Sequence, residues 1–99
     1  APENRPGLEV DYPNHIDLAV EIVSPGNDAH KRDYEDKRID YAKAGVAEYW
    51  IVDPQRHQIT VLVLTREHYN EHGIYTAGQV ASGKLLPALQ VDVDAVMNA

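Results

Sequence analysis

The sequence predicts an α/β or α+β domain with a sheet of at least three or four strands, and three observations predict it. Residues 17–23 (DLAVEIV) are a short apolar run too β-branched for a helix. Residues 47–53 (AEYWIVD) form a second such run. The stretch between them, about 29–44, has helical spacing and is followed by Gly45, a natural left-handed cap. Strand, helix and strand in that order make a β-α-β unit. A short crossover of this kind places its two strands parallel and right-handed.

The remaining elements follow in order. Ser24-Pro25-Gly26-Asn27 breaks the first strand, and Asn27 or Asp28 can cap the helix by accepting from free backbone amides. On the helix, Asp33 and Lys37 stand four apart and support it, whereas Asp36 and Asp40 repel. After the second strand, Pro54-Gln55-Arg56-His57 is a turn, and QITVLVLT (58–65) alternates as a third strand in a hairpin with the second. Residues 66–83, with Gly73, Gly78 and Gly83, read as one or two short exposed strands. The end reads as an extended piece followed by a short helix from about Asp94. The opening APENRPGLEVDYPN is rich in Pro, Asn and charge, so residues 1–16 read as a linker or a remnant of an upstream core. Residues 17–99 then read as the C-terminal part of a domain.

Composition narrows the class. The chain has 99 residues, 43% apolar and 25% charged, which suits one folded domain with a moderate core. No apolar run approaches the roughly 20 residues of a spanning helix. The absence of cysteine removes thiolate chemistry and cysteine-type zinc sites, and fits a cytoplasmic setting. A net charge of −7 counts against strong nonspecific DNA binding, because neutralising phosphates supplies most of that affinity.

Glu21 is the residue with most chemical information. Ala19, Glu21 and Val23 share one face of the first strand, and Leu18, Val20 and Ile22 share the other. A strand apolar on both faces reads as interior, so the carboxylate needs a cation, a metal or donors. On the helix, Tyr34, Lys37, Arg38, Tyr41 and Ala44 fall within an arc of roughly 120° that should face the sheet. Lys37 in that stripe is within reach of Glu21; the alternatives are that it snorkels to solvent or pairs with Asp33. Asp17 shares Glu21's face, but four residues of strand separate them by roughly 13 Å, too far for one ion. Of the histidines, His68 and His72 have i, i+4 spacing without a third ligand nearby, and His30 reads as solvated. Of Tyr49 and Trp50, adjacent on a strand, one reads as core and the other as exposed.

Three blocks then align with a known pattern. DLAVEIVSP (17–25), the spacing Asp33, Lys37, Tyr41, and AGVAEYWIVDP (44–54) resemble the Uma family of bacterial restriction-endonuclease-like proteins, as does the closing LLPALQVDVDAV. The resemblance covers about residues 16–96. It implies a restriction-endonuclease-like PD-(D/E)XK core that cleaves phosphodiester bonds of DNA with Mg²⁺ or Mn²⁺. It further implies that Glu21 is a metal ligand. The lysine that usually follows two residues later falls at Val23, and Lys37 on the next helix takes its place. Its implied role is to steady the attacking water or the scissile phosphate. Ile16 stands where the family has proline, and the acidic residue of the preceding strand has no clear match, Asp11 lying in a Pro-rich stretch. The expected core is therefore incomplete at its N-terminus, with sheet edges that could pair in a homodimer. The second reading is a catalytically inactive module of the same fold that serves assembly or partner binding.

Overall fold

A computed structural model describes residues 18–85 and 88–98. A four-stranded mixed sheet in the order β1-β2-β3-β4 carries the molecule. Its strands are β1 (Leu18–Ile22), β2 (Glu48–Asp53), β3 (Gln58–Thr65) and β4 (His68–Tyr75). β1 and β2 run parallel, joined by the expected helical crossover, and β2, β3 and β4 form an antiparallel meander. A second, two-stranded antiparallel sheet pairs β5 (Val80–Ser82) with β6 (Gln90–Asp92), and a short helix, α3 (Val93–Met97), follows. The architecture is the α+β class expected from the sequence.

The crossover is one continuous helical stretch, 27–43, with a change of pitch inside it. It consists of α1 (Asn27–Lys31), a π-helical turn (Arg32–Asp36) and α2 (Lys37–Lys43). No side chain caps its start: Gly26 is the N-cap, at φ 113°, where Asn27 or Asp28 was expected. Gly supplies a backbone conformation that the chain needs to leave the Ser24-Pro25 bend, and that decides the cap. At the other end, Gly45 has φ 79°; its N–H donates to the Ala42 carbonyl, and Val46 N–H donates to the Tyr41 carbonyl. These two bonds form a Schellman closure, which satisfies orphan carbonyls of the last turn.

Period-2 alternation in β2 and β3 divides the core in two. On the helix side, Val23, Tyr49, Ile51, Leu62 and Tyr69 pack with Tyr34, Tyr41 and Ala42. On the other, Trp50, Val52, Ile59, Val61, Ala81 and Val93 pack with residues of β6 and α3. Tyr49 and Trp50 are therefore both buried, at 0% and 3% exposure, because both faces of the sheet are covered. Ile51 and Ile59 are fully enclosed, each contributing about 1.5–3 kcal/mol of burial.

Three places in the sheet bear on the sequence reading. β1 lies at one end of the described sheet, and Val20 and Ile22, on its face away from the helix, are 52% and 65% exposed. Residues 66–83 hold one eight-residue strand whose Tyr69 is buried, its hydroxyl donating to the Val46 carbonyl at 2.6 Å, and one three-residue strand. His68 and His72 both lie on β4, where four residues span about 13 Å, so their helical spacing brings no pair together. No helix of the described residues is long and apolar enough to cross a membrane.

Candidate functional site

The register of β1 on β2 sets Glu21 opposite Ile51, and in parallel strands paired residues share a face. Ile51 belongs to the helix-side core, so Glu21 is turned toward the helix. Lys37 opens α2 and Tyr41 stands one turn later on the same stripe. Both reach one oxygen: Lys37 Nζ lies 2.9 Å from Glu21 Oε2, and the Tyr41 hydroxyl donates to the same atom at 2.5 Å. The pair is half-buried, with the Lys37 side chain 35% and the Glu21 side chain 22% exposed. Tyr41 is fixed in turn by its ring, 5.0 Å from that of Tyr49.

The electrostatics follow from these contacts. Burial pushes the Glu21 carboxyl upward, but the hydrogen bonds from Tyr41 and Lys37 and the charges of Lys37 and Arg32 outweigh it, and the net shift is downward from 4.5. The hydrogen bond to Glu21, followed by burial, pushes Tyr41 up to about 12. At neutral pH the centre is thus a carboxylate with a protonated phenol and an ammonium on one oxygen.

The π-helical turn lies one turn N-terminal to these residues. It carries Asp33, which is 1% exposed. The Asp33 carbonyl accepts from the Tyr49 hydroxyl at 2.7 Å, so the widened turn is tied to the central strand. Its carboxylate has Arg32 Nε at 3.6 Å from Oδ1, and Oδ2 is buried without a hydrogen-bond partner among the described residues. Lys37 therefore pairs with Glu21 across the crossover, whereas the helical Asp33–Lys37 pairing is not the contact made. Of the predicted inward arc, Ala44 is exposed and Ala42 packs in its stead. His30, expected in solvent, is half-buried and stacked on Tyr34 at 4.4 Å between centroids.

Two further buried carboxylates were missed by sequence reasoning. Asp53, at the end of β2, accepts from the Tyr34 hydroxyl at 2.8 Å and from the backbone N–H groups of Gln55 and Arg56. It shapes the β2–β3 turn, and the Asp-Pro step was the available signal. Glu48, at the start of β2, accepts from Trp50 Nε1 at 2.6 Å and from the N–H groups of Lys84 and Leu85 at 2.9 and 3.0 Å. Nothing local in the sequence announces partners so far downstream. Both are saturated with donors and serve the fold.

Glu21 is a hard oxygen donor, and Mg²⁺ is commonly held by one or two carboxylates together with water and substrate phosphate. That donor type fits a divalent ion. Among the described residues no three histidine, aspartate or glutamate side chains gather in one metal-holding group. Asp11 and Asp17, weighed as second ligands, lie outside the described residues.

Residues 2–94 match the family model Uma2, described as "Putative restriction endonuclease". No curated protein matches the chain.

Proposed function

The chain belongs to the Uma2 family, and from that premise we propose that it is a metal-dependent endonuclease hydrolysing phosphodiester bonds of DNA. The observation that carries this reading is the convergence of Lys37 and Tyr41 on the Glu21 carboxylate, at the family's own motif positions. Glu21 would hold Mg²⁺ or Mn²⁺, and residues 17–99 would form the C-terminal part of the domain. A cytoplasmic setting and a homodimer complete the proposal; sedimentation at a concentration series tests the dimer, and a single monomeric species removes it.

When bound, the ion supplies polarisation of a phosphoryl oxygen and acidification of a water molecule. The chain's own residues supply orientation and charge. Tyr41 and Lys37 keep the Glu21 carboxyl ionised, so the ligand is ready at neutral pH. Lys37, an ammonium on a flexible stem beside that carboxylate, steadies the attacking water or the non-bridging phosphate oxygens as negative charge grows. Tyr41 stays protonated and fixes the rotamer of Glu21.

One observation favours the inactive reading: both described partners occupy Glu21 Oε2, an arrangement that a structural ion pair also explains. A single set of measurements separates the two. Supercoiled DNA is incubated with Mg²⁺ or Mn²⁺ and wild type, Glu21→Gln or Lys37→Met, and each protein is melted with and without the ion. The nuclease reading expects ion-dependent nicking and a raised melting temperature in wild type alone. Nicking that survives Glu21→Gln, or a wild type that neither nicks nor changes its melting temperature with the ion, overturns it.

A further inference from the structure

A groove of about 690 Å³ runs on the far flank of the helix, between α2 and the β3–β4 turn. Arg38, Lys43 and Arg66 line it with His68 and Tyr69, against a single carboxylate, Glu67. Three of the chain's nine Lys and Arg residues thus meet on one concave surface of a protein with net charge −7. Arg38 is aimed by its own bond, Nη2 donating to the Tyr69 carbonyl at 3.2 Å, while Lys43 and Arg66 are exposed. Among the described lining residues the cations outnumber the carboxylates three to one, with Ile39 and Ala42 as an apolar floor, and such an excess favours an anionic ligand.

We propose that this groove holds the phosphate backbone of the nucleic acid away from the scissile bond, an inference that rests on the nuclease reading above. Three cations on one concave surface would give an acidic chain a local place to meet a polyanion. The sheet register places the groove relative to Glu21. Glu21 stands opposite Ile51 and Tyr69 opposite Leu64, which bonds to Ala47; the two residues are therefore three strands and about four residues apart. That separation is roughly 20 Å. Neighbouring phosphates of one strand are closer together than this, so the phosphates held here are others than the one at Glu21.

The test is binding of a fluorescent duplex of about 20 base pairs in EDTA across a KCl series, read by anisotropy. Arg66→Gln with Lys43→Gln is compared with Lys31→Gln with Lys84→Gln, which changes net charge equally at exposed positions outside the groove. Arg66 has φ 62°, and glutamine keeps the same non-glycine backbone there, so the exchange tests charge alone. The groove variant is expected to lose about 2 units of the log-affinity against log-salt slope, and at least about tenfold in affinity at low salt. The control is expected to lose less than about half a unit. Equal losses in both pairs overturn the proposal, as does a wild type that does not bind DNA or that binds polyglutamate in its stead. Nicking assays on the same proteins keep the two readings apart. A Glu21-dependent nuclease whose slope ignores the groove pair refutes the groove alone. A groove-dependent slope without any cleavage refutes the nuclease reading alone.

Discussion

The Tyr41 hydroxyl and Glu21 Oε2 are 2.5 Å apart, and the phenol is the donor that joins the crossover helix to the first strand beside the Lys37 ion pair. Removing the phenol oxygen with Tyr41→Phe keeps the ring on Tyr49 and takes away one charge-assisted bond. The expected loss is about 1–2 kcal/mol in urea unfolding, toward the low side for a bond to a charged group because the site is half open. The Glu21 carboxyl should titrate at a higher pH in this variant, as its carboxyl carbon resonance would show. An unchanged titration means that Lys37 alone holds the carboxylate.

Glu21→Gln removes the charge and leaves Lys37 facing a neutral amide. Stripping one partner from a fully buried pair costs about 3–5 kcal/mol and from an exposed pair under about 1, so a half-buried pair should cost about 1–3 kcal/mol. The effect has a direction in pH. Because the folded carboxyl titrates below its ordinary 4.5, its stabilisation is complete above that value and is lost as pH falls through the folded one. The stability difference between wild type and variant should therefore be flat at neutral pH and shrink in acid below about 4.5. A gap that persists undiminished at pH 2–3 would show that its origin is not the charge.

Asp33→Asn tests the opposite case. Among the described residues the Asp33 carboxylate is buried with one oxygen unpartnered and a 3.6 Å contact to Arg32 on the other. Discharging such a group should leave stability unchanged or raise it by up to about 1 kcal/mol. A loss above about 1 kcal/mol by thermal melting would mean that the Arg32 contact is worth more than its length suggests.

Gly83→Ala probes the Glu48 clamp. A β-carbon built on Gly83 would overlap the Glu48 carboxylate, which three donors hold in position. The carboxylate cannot swing aside without giving up those bonds, so a loss of about 2–4 kcal/mol is expected. Trp50 fluorescence should shift as its indole N–H loses its acceptor. A stable protein with unchanged Trp50 emission would show that the 83–85 segment is free to move away.

The Glu21–Lys37 encounter was legible because it depends on local rules: strand alternation orients Glu21, helical spacing orients Lys37, and a short crossover lays one over the other. Gly45 as the helix cap followed from the same kind of rule. What stayed hidden depends on distant partners. The exposure of Val20 and Ile22 on β1 depends on what the rest of the fold lays over that face, which the residues of β1 do not announce. Trp50 and Tyr49 both disappear into the core because β5, β6 and α3 cover the face that the helix leaves. The π-helical turn has no sequence signature, since RDYED is compatible with an ordinary helix. The groove cations are split between α2 and the β3–β4 turn, so their meeting depends on tertiary packing.

Glu48 has a consequence for synthesis. It is placed in the core by β2, yet two of its donors arrive 36 and 37 residues later, from Lys84 and Leu85. A nascent chain that has already paired β2 with β3 has the Trp50 donor but lacks the other two, and the strand end stays open. Ribosome-bound chains halted before residue 84 should therefore be easy prey for proteases at the start of β2. Arrival of Lys84 and Leu85 is what seals this end of the sheet.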